Sequence, residues 1–120
     1  MTFEISRNFR FEAAHKLPNV PSDHKCARLH GHSFSVTIVV RGDLDPRLQW
    51  VADFADLKAA WQPLHEILDH RYLNEIVGLE NPTSEVLARF IAERIDLPTG
   101  RVHLVCVAET CHAAATYYPD

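Results

Sequence analysis

The sequence has no long apolar run and no concentration of positive charge. Its longest strongly apolar stretch, residues 36–40, is far shorter than the roughly 20 residues that span a bilayer. The twelve Lys and Arg residues are scattered through a chain of formal net charge -4, so the basic stripe typical of nucleic-acid-binding proteins is missing. We therefore expect neither membrane insertion nor a nucleic-acid partner.

The sequence also has few cysteines and shows neither a linker composition nor the pattern of a signal peptide. No Gly/Ser-rich or Pro-rich stretch divides the 120 residues, so we expect a single domain over residues 1–120. Charged side chains interrupt the first thirty residues, unlike the continuous apolar core of a signal peptide. Cys26, Cys106 and Cys111 are odd in number, and a chain that is 47% hydrophobic can form a core without disulfides. We expect reduced thiols in a cytoplasmic protein.

The hydrophobic pattern predicts four strands and two helices in the order ββααββ. Residues 3–15, 33–41, 102–108 and 113–118 are predicted as strands, from their period of two or their β-prone composition. Asp53 and Thr83 are candidate N-caps of two amphipathic helices, and Pro63 should kink or divide the first helix. This order favours an α+β fold, with an antiparallel sheet carrying both helices on one face. Its exposed edges can join neighbouring subunits in a homo-oligomeric barrel.

Three histidines are the strongest candidates for a chemical site. His30 and His32 stand immediately before the second predicted strand, and their spacing of two directs both imidazoles to one face. His15, at the end of the partner strand, can supply a third nitrogen. Three His ligands leave one tetrahedral position of zinc open, as in catalytic sites. The spacing is equally compatible with ordinary polar residues, and imidazoles also bind iron, nickel and copper.

Cys26 lies four residues before His30, beside Lys25 and Arg28, whose charges favour a thiolate. It can act as a nucleophile or general base, serve as a fourth ligand in a structural zinc site, or be an inert loop thiol. Asp69 is adjacent to His70 and can hold its imidazole in one tautomer for proton transfer. The simpler interpretation of that pair is a surface helix terminus at which His70 interacts favourably with the helix dipole.

Glu109 ends a predicted apolar strand, where its two carboxylate oxygens can accept two parallel N–H groups from a flat heterocycle. A solvated strand end explains Glu109 equally well. Thr83 and Ser84 can contact a ligand, although helix capping alone accounts for Thr83.

Five segments of the chain resemble the 6-pyruvoyl-tetrahydropterin synthase family. They are residues 11–15 (FEAAH), 26–32 (CARLHGH), 69–70 (DH), 81–85 (NPTSE) and 109–110 (ET). They occur in the family's order over nearly the whole chain. The three-residue gap between Cys26 and His30 is similar to the bacterial 6-carboxy-5,6,7,8-tetrahydropterin synthase branch, which acts in queuosine biosynthesis, rather than to the pyruvoyl-forming branch.

The resemblance implies the tunnelling fold, in which ββααββ subunits join their sheets into a barrel. Such barrels commonly stack as two trimers, which implies a homohexamer. The resemblance also implies that His15, His30 and His32 bind zinc.

The catalytic residues implied by the resemblance are Cys26 as the proton-abstracting base and Asp69 with His70 as a proton relay. Glu109 would anchor the amino and ring N–H groups of a pterin substrate and join the relay. The implied reaction converts 7,8-dihydroneopterin triphosphate to 6-carboxy-5,6,7,8-tetrahydropterin, acetaldehyde and triphosphate. No Gly-rich dinucleotide motif is present, which agrees with a reaction that needs no nicotinamide or flavin.

Two other functions remain open from the sequence. A sister enzyme on the same scaffold would make 6-pyruvoyltetrahydropterin or cleave a related pterin side chain. A non-catalytic zinc-binding assembly module would use Cys26 as a fourth ligand. The residues that contact triphosphate are not assigned, since Lys16, Lys25 and Arg28 are all candidates.

Overall fold

Five strands form one sheet, and two helices cover one of its faces. The computed structural model describes residues 2–110 and 112–119, with the main chain only at Thr110. The elements are β1 (Phe3–His15), β2 (His30–Gly42), α1 (Phe54–Leu68), β3 (Arg71–Tyr72), α2 (Ser84–Arg94), β4 (Arg101–Thr110) and β5 (Ala113–Tyr117). The strand order is β3-β1-β2-β4-β5, antiparallel throughout except for the parallel pair β1 and β3.

The alternating side chains of β1 and β2 separate a buried face from a polar face. The two strands pair over their full length, from Phe3 opposite Gly42 to His15 opposite His30. Phe11 and Phe34 are buried on the helix side, where their rings stack with centroids 4.8 Å apart. The other face carries polar side chains, because residues one position away along a strand point the opposite way.

Both helices begin at the predicted caps. The Asp53 side chain accepts a hydrogen bond from the Ala55 N–H, and the Thr83 hydroxyl oxygen accepts one from the Val86 N–H. The apolar side of α1 packs against β1, and α2 packs against β4 and β5. The predicted α+β fold with both helices on one face is therefore confirmed. No helix in the described ranges is long and apolar enough to cross a membrane.

The structure differs from the sequence prediction in three elements. The first helix is not divided at Pro63. Pro63 and Ala59, whose carbonyl would have bonded to residue 63, are both exposed, so water can satisfy that carbonyl. β2 begins at His30 rather than at residue 33, and the two-residue strand β3 was not predicted.

The cysteine prediction is tested only in part. Cys26 and Cys106 are free thiols, whereas Cys111 lies outside the described residues.

Candidate metal and catalytic site

Three imidazoles meet at one end of the long β1–β2 pair. His15 is the last residue of β1 and lies opposite His30, the first residue of β2, while His32 follows two positions later on the same face. The ring centroid of His15 is 4.6 Å from that of His30 and 5.3 Å from that of His32. One nitrogen from each ring lies within 4.8 Å of the others. These residues can therefore hold a metal ion.

Main-chain carbonyls fix the tautomer of two of these rings. His15 Nδ1 lies 2.8 Å from the Pro82 carbonyl oxygen, and His30 Nδ1 lies 2.6 Å from that of Arg28. Because a carbonyl oxygen only accepts, both Nδ1 atoms carry the hydrogen and leave the Nε2 lone pairs free. This second layer of hydrogen bonds is the usual arrangement behind metal-binding histidines.

The donor atoms of the cluster fit a metal ion. His15 Nε2 and His32 Nε2 are buried and have no hydrogen-bond partner among the described residues. Burial lowers the pKa of His15, against the opposing effect of the Pro82 carbonyl, and this keeps the imidazole in the neutral form that binds metals. Unpaired buried nitrogens that converge on one point indicate a ligand-binding site.

Glu109 lies beside the three histidines. Its Oε1 is 3.9 Å from His15 Nε2, and its Oε2 is 3.8 Å from His32 Nε2. Glu109 stands at the point where the register between β4 and β5 shifts, between residues 108 and 110. At the start of α2, the Ser84 hydroxyl donates a 2.9 Å hydrogen bond to Glu109 Oε1. Ser84 therefore orients the carboxylate, while the neighbouring Thr83 caps the helix.

Asp69 and His70 form a second polar pair, docked on β1. Asp69 Oδ1 accepts the Glu12 N–H at 2.9 Å, and the His70 N–H donates to the Glu12 carbonyl at 2.6 Å. Asp69 Oδ2 lies 2.7 Å from His70 Nδ1. The Glu12 N–H, and then the His70 side chain, lower the pKa of Asp69. An ionised carboxylate therefore holds the His70 Nδ1–H, and His70 itself has the unusual φ of 57°.

One histidine of the cluster and the histidine of the Asp69–His70 pair border the same open hollow. His32 and His70 both line this site hollow of about 660 Å³, together with Ser33 and Tyr72. Glu109 and Ser33 line a neighbouring hollow of about 680 Å³. The arrangement can accept a small polar molecule between a metal ion and a proton-transfer group.

Cys26 is not part of the histidine group. It lies in the short 3-10 turn Lys25–Ala27 between β1 and β2, and its N–H donates to His24 Nδ1 at 3.0 Å. The metal-ligating group in the described residues contains the three histidines without the Cys26 thiol. The lining of the site hollow does not include Cys26 either. The roles predicted for Cys26 and His70 in proton transfer therefore stay predictions.

Sequence reasoning missed the groups that orient the site. The Pro82, Arg28 and Glu12 contacts use main-chain atoms, which carry no residue-type signal. His24 lies two residues before Cys26, and its position could have identified it as a cap for the turn that holds the thiol.

Comparison with known proteins places the chain among pterin-related enzymes. A profile of the family described as 6-pyruvoyl tetrahydropterin synthase matches residues 4–120. The chain is 43% identical over 120 positions to a Synechocystis 6-carboxy-5,6,7,8-tetrahydropterin synthase, covering 95% of this chain and 92% of that protein. It is 40% identical over 85 positions to a Pyrococcus furiosus dihydroneopterin monophosphate aldolase, covering 71% of this chain and 68% of the other.

The fold also matches a solved structure. The structure of Caenorhabditis elegans 6-pyruvoyl tetrahydropterin synthase superposes with a TM-score of 0.88 at 25% identity, covering 100% of this chain and 97% of that one.

Proposed function

The chain belongs to the 6-pyruvoyl tetrahydropterin synthase family, and we propose that it is a metal-dependent lyase acting on 7,8-dihydroneopterin triphosphate. With one water, the reaction yields 6-carboxy-5,6,7,8-tetrahydropterin, acetaldehyde and triphosphate. The Synechocystis relative bears the name of that activity. The observation that carries the proposal is the convergence of unpaired His15 and His32 nitrogens beside the hollow that His70 also lines. We place the protein in the cytoplasm, in queuosine biosynthesis.

We assign zinc to His15, His30 and His32. Imidazoles that present Nε2 suit this ion, and these three histidines are the group among the described residues that could hold it. When bound, zinc would polarise the oxygens of the substrate side chain and acidify the adjacent C–H. The protein itself contributes the orientation of the rings, through the carbonyls of Pro82 and Arg28.

Proton transfer is assigned to Cys26, Asp69 and His70. Because Asp69 holds the Nδ1–H of His70, Nε2 is the atom that takes up or releases a proton. The ionised Asp69 stabilises the imidazolium that forms when His70 is protonated. Cys26, flanked by Lys25, acts as the base that removes a proton from the substrate side chain.

Glu109 is assigned to the pterin ring. Its carboxylate can accept two N–H groups from the flat heterocycle, and the Ser84 hydrogen bond holds the carboxylate beside the histidines. We propose that Thr83 and Ser84 form the wall of the substrate site at the start of α2, and that Glu109 also joins the proton relay.

The sheet edges support assembly. β3 pairs with β1 only at Ala13 and Ala14, so most of that edge is unpaired in the described chain. β5 forms the other edge. We propose that residues 1–120 form one domain whose edges join those of neighbouring copies, in a homohexamer of two stacked trimeric barrels. This assembly would bring Cys26 of one copy towards a site that the single chain leaves incomplete.

Product analysis tests the reaction. The zinc-loaded protein is incubated with 7,8-dihydroneopterin triphosphate, followed by mass spectrometry of the pterin and an acetaldehyde assay, with Cys26→Ala in parallel. We expect carboxytetrahydropterin and acetaldehyde from the wild type alone. A pyruvoyl product would instead assign the sister synthase. Cleavage of the side chain without formation of the carboxylate would assign the aldolase activity named for the Pyrococcus relative. No product despite bound zinc would favour a non-catalytic zinc-binding module.

A further inference from the structure

His15 and His30 differ in how far along the chain the carbonyl that orients each ring lies. The carbonyl that orients His30 belongs to Arg28, two residues away. The carbonyl that orients His15 belongs to Pro82, 67 residues away. The orientation of the His15 ring therefore depends on how the end of β1 is joined to the segment that precedes α2.

One side-chain amide spans these two parts of the chain. Asn74 Oδ1 accepts the Lys16 N–H at 3.0 Å, and Asn74 Nδ2 donates to the Lys16 carbonyl at 2.8 Å. Asn74 Nδ2 also donates to the Glu80 carbonyl at 3.3 Å. Lys16 follows His15, and Glu80 lies two residues before Pro82. Asn74 thus contacts the main chain on both sides of the hydrogen bond between His15 and Pro82.

The contact of Asn74 with β1 continues the pairing of β1 with β3. β3 pairs with β1 at Ala13 and Ala14, and the chain then leaves the sheet in the 3-10 turn Leu73–Glu75. The Asn74 side chain accepts from and donates to one main-chain residue, as a neighbouring strand would. β1 is therefore held on this side both before and after His15.

The chemistry of the Asn74 amide matches its three partners. A side-chain amide offers one acceptor oxygen and two N–H donors, and here the oxygen faces an N–H group while the nitrogen faces two carbonyls. A residue that only capped its own turn would bond within that turn. The partners of Asn74 lie 58 and 6 residues away instead. These contacts therefore join separate segments of the chain.

We propose that Asn74 is a positioning residue of the metal centre, which holds the end of β1 against the Pro82 segment and so directs His15 Nε2 towards the other two histidines. This inference rests on the metal site of the proposed function. Removal of a group behind a metal-binding histidine weakens metal affinity by about 10- to 100-fold. Asn74 acts through the main chain, one step further from the metal, so we expect the lower end of that range.

Zinc affinity tests this role. The dissociation constant is measured by competition with a chelator of known affinity. We expect Asn74→Ala to bind zinc about tenfold more weakly than the wild type. Asn74→Asp keeps an acceptor for the Lys16 N–H but no donor for the two carbonyls, so its affinity should lie between those of the wild type and Asn74→Ala. If Asn74→Ala does not fold, Asn74→Asp carries the test, and wild-type affinity in Asn74→Asp would then overturn the proposal.

Asn8→Ala is the matched control. Asn8 is an exposed residue of β1 whose side-chain amide also makes hydrogen bonds, with the hydroxyl groups of Thr37 and Ser35. It lies seven residues before His15, on the opposite face of β1. This variant should bind zinc like the wild type. Equal zinc affinities in Asn74→Ala and Asn8→Ala would overturn the proposal.

Thermal unfolding separates positioning from a general effect on stability. At a free zinc concentration about 100 times the wild-type Kd, a site that binds about tenfold more weakly gives about half of the metal-induced stabilisation. Asn74→Ala should therefore show about half of the wild-type rise in Tm on zinc binding, and Asn8→Ala should show the full rise. A purely structural role would lower the Tm of the chelated and zinc-loaded protein equally, and that result would overturn the proposal.

The outcomes also distinguish this inference from the proposed function. Weakened zinc binding in Asn74→Ala, without turnover of 7,8-dihydroneopterin triphosphate by the wild type, would support the positioning role and refute the proposed reaction. Turnover by the wild type, with unchanged zinc affinity in Asn74→Ala, would refute the positioning role alone. A wild type that binds no zinc would refute both.

Discussion

Removal of the metal should destabilise the folded chain, because it leaves His15 Nε2 and His32 Nε2 buried without partners. Each unpaired buried polar atom lowers the free energy of unfolding by about 1–3 kcal/mol. A ligand that binds only the folded chain, at 100 times its Kd, stabilises it by about 2.7 kcal/mol. For a chain of 120 residues the unfolding entropy is about 0.25 kcal/mol/K. We therefore expect zinc to raise the Tm by about 10 °C over the chelated protein.

Differential scanning calorimetry of zinc-loaded and chelated protein measures this difference. His32→Ala should abolish the metal-induced rise in Tm. The matched control is His103→Ala, because His103 lies in β4 and contacts Arg41 at 3.0 Å, outside the cluster; this variant should retain the rise. Equal Tm values for the two wild-type samples, or loss of the rise in His103→Ala as well, would show that the three histidines do not form the metal site.

Three further perturbations test the proton relay, the carboxylate and the core. Asp69→Asn keeps an oxygen that can accept the Glu12 N–H, but its amide group faces the Nδ1–H of His70 and cannot accept that hydrogen. We therefore expect kcat to fall on the order of 10²- to 10⁴-fold, and a near-normal kcat would refute the relay. Hydrogen bonding lowers the pKa of Asp69. The wild type should therefore exceed Asp69→Asn in free energy of unfolding by the full amount near neutral pH, and this difference should decrease as the pH falls through that lowered pKa. Urea unfolding at several pH values measures this difference, and a gap that widens in acid would contradict the sign. Ser84→Ala removes the donor to Glu109 and should raise KM by about tenfold with metal content unchanged; an unchanged KM would exclude this positioning role. Leu64 is 2% exposed on α1, and its replacement by alanine should lower the free energy of unfolding by about 2–5 kcal/mol. A loss below about 1 kcal/mol in urea unfolding would contradict its place in the core.

Local patterns were sufficient to predict most of the fold. The alternation in residues 3–15 gave the bounds of β1, and Asp53 and Thr83 cap their helices as expected. The spacing of His30 and His32 predicted their shared face, because that relation depends only on strand geometry. These features are encoded within a few residues of one another.

Features that depend on distant parts of the chain were not predictable in this way. The Nδ1 partner of His15 is a carbonyl 67 residues away. β3 exists because Arg71 and Tyr72 follow the Asp69–His70 contact with Glu12 and continue beside β1. Neither arrangement leaves a local sequence pattern, since any residue type can supply a main-chain carbonyl or extend a two-residue strand.

The sequence left three roles open for Cys26: a base or nucleophile, a fourth zinc ligand, and an inert thiol. Its charged neighbours Lys25 and Arg28 favour a reactive thiolate, but a fourth zinc ligand has the same residue type and loop position. Within one chain, the group that could hold a metal consists of the three histidines, and the role of Cys26 stays a prediction.

The central claim is that three histidines hold a metal that the protein uses for catalysis. The most direct test uses one sample of Cys26→Ala for two measurements. Its metal content per chain is determined by mass spectrometry, and its turnover of 7,8-dihydroneopterin triphosphate is assayed. We predict one zinc per chain and no turnover. Loss of zinc in this variant would contradict the account, because it would make Cys26 a ligand of a closed structural site.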